Sequence, residues 1–519
     1  MVPLEVIQTI LRLASKTLML IYPTSVPPKS LPSTASNHEE PLMVRETTSL
    51  LGLRDDIVRQ FAPPSDVRRM RAMSNAMRIQ YHEKLQDSQA CMLPSFCHTL
   101  PSGDERGTYM ALDVGGSTFR VALVDLCSRG HADGPMRIKC ISTAKIDASV
   151  RALPANKFFE WMAGKINLIL AEEHDLPWSR SDVIPVGLAW SFPVEQTSHR
   201  GGKIQGMGKG FNCHQDTLGK DLGEQVEIAC AKQGLNVQVD AIVNDSSATL
   251  LTQVYQDPAT TMALILGTGT NAAVYLPIAI MGKGKFGDRD ASWFDAADKV
   301  ITNTELSMFG TGILPQTRFD EALNINHQNP GFQPLEYMTT GRYLGEIFRL
   351  IIQEAASNCG LFGSVMPNSL LDSYSLDTAI LAQLEEDQTS TLSSSIRLVQ
   401  NAFDLPVAPS AEEIAFLRTA AEAISRRAAA YLAIAVHALW ALQRENSTTP
   451  TSRTSIACNG SVILKYPGFK DHCEDYINTI IRADNYAHGV PTTASVVLEP
   501  TNEAAVLGAA VAVALSDAT

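Results

Sequence analysis

Short apolar runs alternate with amphipathic stretches from about residue 49 onward, and their lengths separate strands from helices. Residues 109–112 and 119–126 are β-rich runs flanking Gly115-Gly116-Ser117-Thr118, which predicts two antiparallel strands joined by a tight glycine turn. The unit recurs: residues 262–266, then Gly267-Thr268-Gly269-Thr270, then 272–276. A repeated strand–turn–strand unit predicts two α/β lobes facing each other, each giving one phosphate-cradling hairpin to a shared cleft.

Between and after these units the period changes. Residues 156–173 and 219–233 read as helices alternating with apolar strands at 184–189 and 241–243, the rhythm of an α/β protein. Ser65-Asp66 caps an amphipathic helix running through Leu85, with Met70, Met73, Met77 and Ile79 on or near one core-facing side. Residues 337–356 and 411–443 carry long helical patterns, whereas the Ser/Thr-rich stretches 385–395 and 446–455 read as surface loops. Residues 23–48, rich in Pro, Ser, Thr and Asn, read as a solvated linker. Before it, residues 1–22 are apolar but broken by Glu5, Arg12 and Lys16, so they lack the roughly 20-residue apolar run of a spanning helix. Leu4, Ile7, Leu11 and Leu18 lie near helical spacing, which suits a helix docked on the protein's own surface or, as the alternative, a weak membrane anchor of peripheral mitochondrial type.

Composition narrows the class. A chain of 519 residues is long for one core and predicts two lobes. With 42 Lys and Arg against 55 Asp and Glu, the net charge of −13 repels a phosphate backbone and argues against nucleic acid as a partner. The nine cysteines stand singly with no CxxC, which argues against a disulfide framework or zinc site and for a reducing, cytoplasmic setting.

Chemistry concentrates at the turns and at one strand end. Gly115 and Gly116 can bring amide N–H groups close to phosphate oxygens, and Asp113 can hold a hydrated Mg2+ ion. A single glycine turn is more often a plain hairpin; the second copy favours phosphate binding. The run Ala241-Ile-Val-Asn-Asp-Ser246 delivers Asn244 and Asp245 to the carboxyl end of a buried strand, where α/β folds place ligand groups. The alternative is that Asp245 or Ser246 caps the helix over 248–254.

Ordered segments decide between these readings. Cys91-Met-Leu-Pro-Ser-Phe96, Leu100-Pro-Ser-Gly103, Leu112-Asp-Val-Gly-Gly-Ser-Thr-Phe-Arg-Val121, Trp190-Ser-Phe-Pro193, Gly208-Lys-Gly-Phe211, Val243-Asn-Asp245 and Leu266-Gly-Thr-Gly-Thr-Asn271 resemble, in order, motifs of the hexokinase family. Asn303-Thr-Glu305, Asn329-Pro-Gly-Phe-Gln-Pro-Leu-Glu336, Thr340-Gly-Arg-Tyr-Leu-Gly-Glu346, Asn459-Gly-Ser-Val462 and Tyr466-Pro-Gly-Phe469 extend the resemblance across roughly residues 64 to 515.

The resemblance implies an α/β, two-lobed actin-like ATPase (ribonuclease H-like) fold whose interlobe cleft closes on a hexose. Asp245 would accept the proton of the sugar 6-hydroxyl as it attacks the γ-phosphoryl group of ATP, and Lys209 would bind sugar hydroxyls and offset developing charge. Ser191, Asn244, Asn271, Glu305 and Glu336 would hold the sugar. ATP would lie on Asp113, Gly115, Gly116, Ser117, Thr118 and Arg120, on Gly267, Thr268, Gly269 and Thr270, and on Gly460 and Ser461, with Mg2+ held by Asp113 through water. The implied division gives residues 1–48 to the apolar segment and linker, 49–107 and 244–495 to a large lobe, and 108–243 and 496–519 to a small lobe.

Departures bear on the substrate. Met207-Gly208 replaces the usual Trp-Thr, Leu306-Ser307 replaces Trp-Gly, and Phe332, Pro334 and Tyr337 replace polar or smaller residues, so an aromatic and proline rim is expected to pack an acetamido methyl group. Gly115-Gly-Ser-Thr118, Trp190-Ser-Phe-Pro193, Asn244-Asp-Ser246, Glu305-Leu-Ser-Met-Phe309 and Thr340-Gly-Arg-Tyr343 resemble the fungal N-acetylglucosamine kinases within the family. On the nucleotide side, Asn459 replaces an Asp and Ala504-Ala505-Val506 a Gly-Ser-Gly segment, which leaves open a sugar-sensing regulatory protein with weak turnover, or a glucose-phosphorylating hexokinase.

Overall fold

Two sheets built on one strand plan organise the chain. The computed structural model describes residues 49–64, 66–173, 175–179, 182–207, 210–212, 214–445, 453–487 and 494–516; the segment 1–22, the linker 23–48 and most of the expected 446–455 loop lie outside them. The first half carries strands β1 (Leu93–Pro94), β2 (Gly107–Val114), β3 (Thr118–Leu126), β4 (Met136–Lys145), β5 (Ile184–Trp190), the small hairpin β6 (Val194–Gln196) and β7 (Gly202–Ile204), and β8 (Val237–Val243). The second carries β9 (Thr260–Leu266), β10 (Thr270–Pro277), β11 (Lys299–Asn303), β12 (Arg453–Asn459) and β13 (Ser495–Pro500).

In the five-stranded sheet β4-β3-β2-β5-β8, the first three strands form an antiparallel meander and β5 and β8 join in parallel. In the six-stranded sheet β1-β11-β10-β9-β12-β13, the meander β9-β10-β11 is likewise followed by two parallel strands, with β1 added at the edge. The duplication expected from the two glycine turns is therefore a duplication of whole sheets. From residue 496 the sequence division assigns the chain to the small lobe; instead β13 pairs with β12 in the six-stranded sheet, and the chain crosses over only after it.

The helices that matter for the site are α1 (Leu50–Gln60), α2 (Val67–Asp87), α3 (Ala155–Glu172), α4 (Leu222–Ala231), α5 (Asp245–Gln256), α6 (Pro334–Thr339), α7 (Gly341–Cys359), α8 (Thr378–Glu386), α9 (Ala411–Arg444), α10 (Phe469–Ala487) and α11 (Ala504–Ser516). Alternation along β2 and β3 sends Met110, Leu112, Phe119 and Val121 toward Phe158 and Met162 of α3, while Ala111, Ala122 and Val124 face a second core shared with α11. α11 is apolar on all sides and buried from Ala504 through Leu515 apart from partly buried Leu507, as a helix without a polar face must be. It packs closely because glycine stands at both of its contacts. A Cβ on Gly187 of β5 would lie 2.1 Å from the Ala509 carbonyl oxygen, and one on Gly508 would lie 1.9 Å from that of Ala248 in α5.

The large lobe is built around α9, whose 34 residues start at a Ser410/Glu413 capping box and run through the main core with α1, α2 and α10. Inside that core the fully buried Arg427 donates to Asp320 at 2.8 Å.

Four local expectations change. Met70, Met73 and Met77 are buried, but Ile79 is 58% exposed because it falls outside the 3–4 residue spacing they share. The single helix expected over 337–356 is two, α6 and α7, broken at Thr340, whose extended backbone lets the Gly341 N–H donate to the Gly267 carbonyl at 2.9 Å. Residues 385–395 are only partly loop, with Leu392 and Ser395 buried and Ser395 donating to Asp387. Ser455 is buried within β12 and not in a surface loop.

Gly508→Ala forces a methyl group into a backbone carbonyl that has no rotamer to yield. It is expected to lower stability by about 2 kcal/mol, within the usual range for overpacking, measured as a shift of the urea midpoint. An unchanged midpoint would mean that α5 and α11 are not held at this distance.

Candidate active site

Strand β8 ends at Val243, and the next two residues start α5. Asn244 is the N-cap, its Oδ1 accepting from Ser247 N at 2.9 Å, so the cap is neither Asp245 nor Ser246. Asp245 is the first helical residue, half-buried, with Oδ1 accepting from Ser246 N at 2.7 Å. Its charge reaches Glu305, which follows β11 in the other sheet, and helps raise the proton affinity of that carboxyl group. Asp245, after β8 of one sheet, therefore lies within electrostatic reach of Glu305, after β11 of the other.

Glu305 is held in turn. Asn271, the second residue of β10, donates from Nδ2 to Asn303 Oδ1 at 2.9 Å, and Asn303 donates from Nδ2 to Glu305 Oε1 at 2.8 Å. The Asn271 Oδ1 accepts from Ala272 N at 2.8 Å, which fixes the amide's orientation. Glu305 adopts the left-handed backbone conformation, with φ +50°. Such a backbone costs a non-glycine residue about 1 kcal/mol and turns this side chain back toward Asn303. Burial chiefly, and the Asp245 charge in addition, push the Glu305 carboxyl above its ordinary range; the Asn303 hydrogen bond works against both.

The second glycine turn carries Glu336 against it. Glu336, in α6, accepts from Thr270 N at 3.1 Å, and a Cβ on Gly269 would lie 2.9 Å from its Oε2. Gly267 lies against Gly460 and Ser461, the residues after β12: a Cβ on Gly267 would approach Ser461 N to 3.3 Å, and one on Gly460 would reach the Leu266 carbonyl oxygen at 2.3 Å. Gly460 has φ +112°, open in practice to glycine alone. Thus Gly267, Thr268, Gly269, Thr270, Gly460 and Ser461 form one patch, with Thr268 and Ser461 exposed on it.

The first turn is more heavily engaged. Gly115 N donates to Thr118 O at 3.0 Å, Ser117 O accepts from Ile146 N at 2.8 Å, and Gly116 O accepts from Arg151 Nη2 at 3.0 Å. Asp113 is buried and accepts from Arg120 Nε at 2.8 Å, while Arg120 Nη1 reaches Glu503 at 2.6 Å. Desolvation raises the Asp113 carboxyl above its ordinary range in spite of Arg120. Among the described residues no group of three His, Cys, Asp or Glu is placed to hold a metal. Ser191 is half-buried at the end of β5, its N–H on the Val114 carbonyl. Lys209 lies outside the described residues.

The aromatic rim is smaller than the sequence suggests. Tyr337 is only 4% exposed; its hydroxyl donates to the Asn329 carbonyl at 2.7 Å, and its ring packs on His327 and Tyr343. Pro334 is buried at the first position of α6, and Phe332 remains 51% exposed. Asn303, which holds Glu305, is the part of this constellation that sequence reasoning did not single out as a site residue. Its signal was present, since it opens the Asn303-Thr-Glu305 segment.

Two lobes built on duplicated sheets, each with its glycine turn, give the two-lobed actin-like ATPase fold, and the chain's relatives within that fold are sugar phosphotransferases. Sequence profiles described as hexokinase match residues 54–255 and 261–515. Hexokinase-2 of Oryza sativa subsp. japonica is 30% identical over 452 residues, covering 83% of this chain and 87% of that protein. Hexokinase-1 of Saccharomyces cerevisiae is 29% identical over 431 residues, with 82% and 84% covered. The structure of the Schistosoma mansoni hexokinase complexed with glucose superposes with a TM-score of 0.74 at 26% identity over 90% of this chain and 100% of that one. The chain belongs to the hexokinase family, and ATP is that family's phosphoryl donor.

Tyr466, beside the second patch in sequence, donates to Glu385 Oε1 at 2.5 Å, and burial pushes the Glu385 carboxyl up to about 7. Since the native state holds this proton to higher pH than the unfolded chain, the group's contribution to stability is fully present below the unfolded pKa and is lost as pH rises to about 7. Glu385→Gln removes the titration. Its stability advantage over the wild type is expected to widen by on the order of 2 kcal/mol between pH 5 and 8, read from urea midpoints.

Proposed function

We propose that this chain transfers the γ-phosphoryl group of ATP to the 6-hydroxyl of a hexose, with Asp245 as proton acceptor, and that the preferred sugar is N-acetyl-D-glucosamine. The observation that carries the first part is the hydrogen-bonded frame around the carboxylates: Glu305 is tied through Asn303 to Asn271, Glu336 is tied to the second glycine turn, and Asp245 stands at the start of α5 within electrostatic reach of Glu305. A carboxylate at the start of α5 takes the hydroxyl proton as the oxygen attacks in line. Asn244, Asn271, Ser191, Glu305 and Glu336 match the sugar's donors and acceptors, because an unpaired buried hydroxyl costs about 1–3 kcal/mol. Lys209 offsets charge as it develops. Magnesium bound with the nucleotide would spread the charge of the β- and γ-oxygens, with Asp113 holding its water shell. Lobe closure excludes water, which would otherwise compete as acceptor.

For the sugar, two observations support the amino sugar: the resemblance at residues 305–309 and 340–343, and the half-exposed Phe332 beside Gln333, whose Nε2 donates to Ser307 Oγ at 3.2 Å. Covering an acetamido methyl there contributes about 0.8 kcal/mol. The second reading, a sugar-binding regulator with weak turnover, is favoured by the engagement of Arg120 with two carboxylates. The eight described cysteines are unpaired, and no described helix is long and apolar enough to cross a membrane.

Coupled ADP-release assays with glucose and N-acetylglucosamine in parallel test this reading. The expected result is a higher kcat/KM for the amino sugar, and a kcat loss of about 10²–10⁴-fold in Asp245→Ala with sugar binding retained. Preference for glucose would defeat the substrate assignment and leave the acceptor step standing; sugar binding without any turnover would favour the regulator. Asn303→Ala, which releases Glu305, is expected to raise the KM for sugar by about tenfold while the KM for ATP changes little.

A further inference from the structure

Glu503 joins β13 to α11 and has a backbone φ of +50°, a region that glycine occupies without strain and that glutamate does not. Its side chain is 47% exposed, so its ion pair with Arg120 is of the kind that adds little to stability. Fold stability alone therefore gives no reason for a glutamate here. Its position does. Arg120 lies two residues after Thr118 on β3, hence on the same face of the sheet, and Thr118, Arg120, Ile138, Ile141, Thr143 and Glu503 line a recess of about 600 Å³ beside the first glycine turn. The one guanidinium is shared between Asp113 at 2.8 Å and Glu503 at 2.6 Å. Asp113 and Arg120 alone would be a neutral pair; with Glu503 the group carries a net charge of about −1 toward an incoming polyphosphate.

We infer that Glu503 is an electrostatic brake on nucleotide binding: it holds Arg120 away from the phosphate chain and repels that chain, so that MgATP must break the Arg120–Glu503 pair to bind. The inference rests on the kinase reading above and concerns how that site is regulated. Glu503 touches no reacting atom and acts through Arg120. Its removal should alter affinity for nucleotide and leave the chemical step alone.

The test uses the full chain and MgADP as probe. Calorimetric titration of Glu503→Gln is expected to show MgADP bound roughly three- to tenfold more tightly, with the KM for ATP lowered by the same factor and kcat little changed. The gain should shrink at about 0.5 M KCl, where the wild-type charge is already screened. Glu503→Gly should give the same gain in affinity and also raise Tm by relieving the backbone, which separates charge from strain. MgADP binding that is unchanged in Glu503→Gln would overturn the brake, and weaker binding would overturn it by making Glu503 part of the nucleotide site. Failure of wild type and both variants alike to bind MgADP would sink the kinase reading itself.

Discussion

The approach of α11 to α5 is the constraint on which the site depends. Gly508 brings the two helices to a distance at which any side chain would meet the Ala248 carbonyl, and Gly187 does the same between α11 and the five-stranded sheet. α5 starts with Asp245, and the turn before α11 carries Glu503, so one packing contact sets both groups relative to the first glycine turn. A core of alanines and glycines is suited to this because small residues let backbones approach while leaving no rotamer to adjust. The position of Asp245 is thereby set by backbone against backbone.

Electrostatics then separates the carboxylates by what surrounds them. Asp113 and Glu305 are both desolvated and both raised, but Asp113 has an arginine against it and Glu305 has only an amide and a neighbouring carboxylate. A carboxylate satisfied by amides and backbone N–H groups retains capacity to accept from sugar hydroxyls, whereas one engaged by a guanidinium is tied to a cation. The Asn271–Asn303–Glu305 chain and the Thr270–Glu336 contact also make the residues proposed to hold the sugar share a frame with the second glycine turn.

Much of this was legible in the sequence, and the reasons are local. Both glycine turns, the strands flanking them and the strand ending at Asp245 follow from period and turn chemistry, and the structure brings Asp245, Asn271, Glu305 and Glu336 into one connected region. What escaped was decided by tertiary contacts. The break at Thr340 exists because Gly341 donates to Gly267, a partner 74 positions earlier that no periodicity reveals. Tyr337 looked like part of a sugar rim, yet its hydroxyl finds Asn329 and its ring finds His327 and Tyr343. The division placed residues from 496 onward in the small lobe, whereas β13 pairs in parallel with β12, a partner set by the fold and not by the strand's own sequence.

The two glycine turns are topological equivalents with opposite surroundings, and that asymmetry has a consequence for the phosphate chain. The first turn has Arg120 and Arg151 beside it; the second has Glu336 bonded to its backbone. A polyphosphate spanning both would meet two guanidinium groups at the first, that of Arg120 offset by Asp113 and Glu503, and at the second it would rely on glycine N–H groups and on Thr268 and Ser461. Attraction that comes largely from one lobe can be tuned from that lobe alone. A single added carboxylate beside Arg120 is then enough to change nucleotide affinity without touching the sugar-facing half, where Asn303 and Glu305 are fixed by bonds of their own.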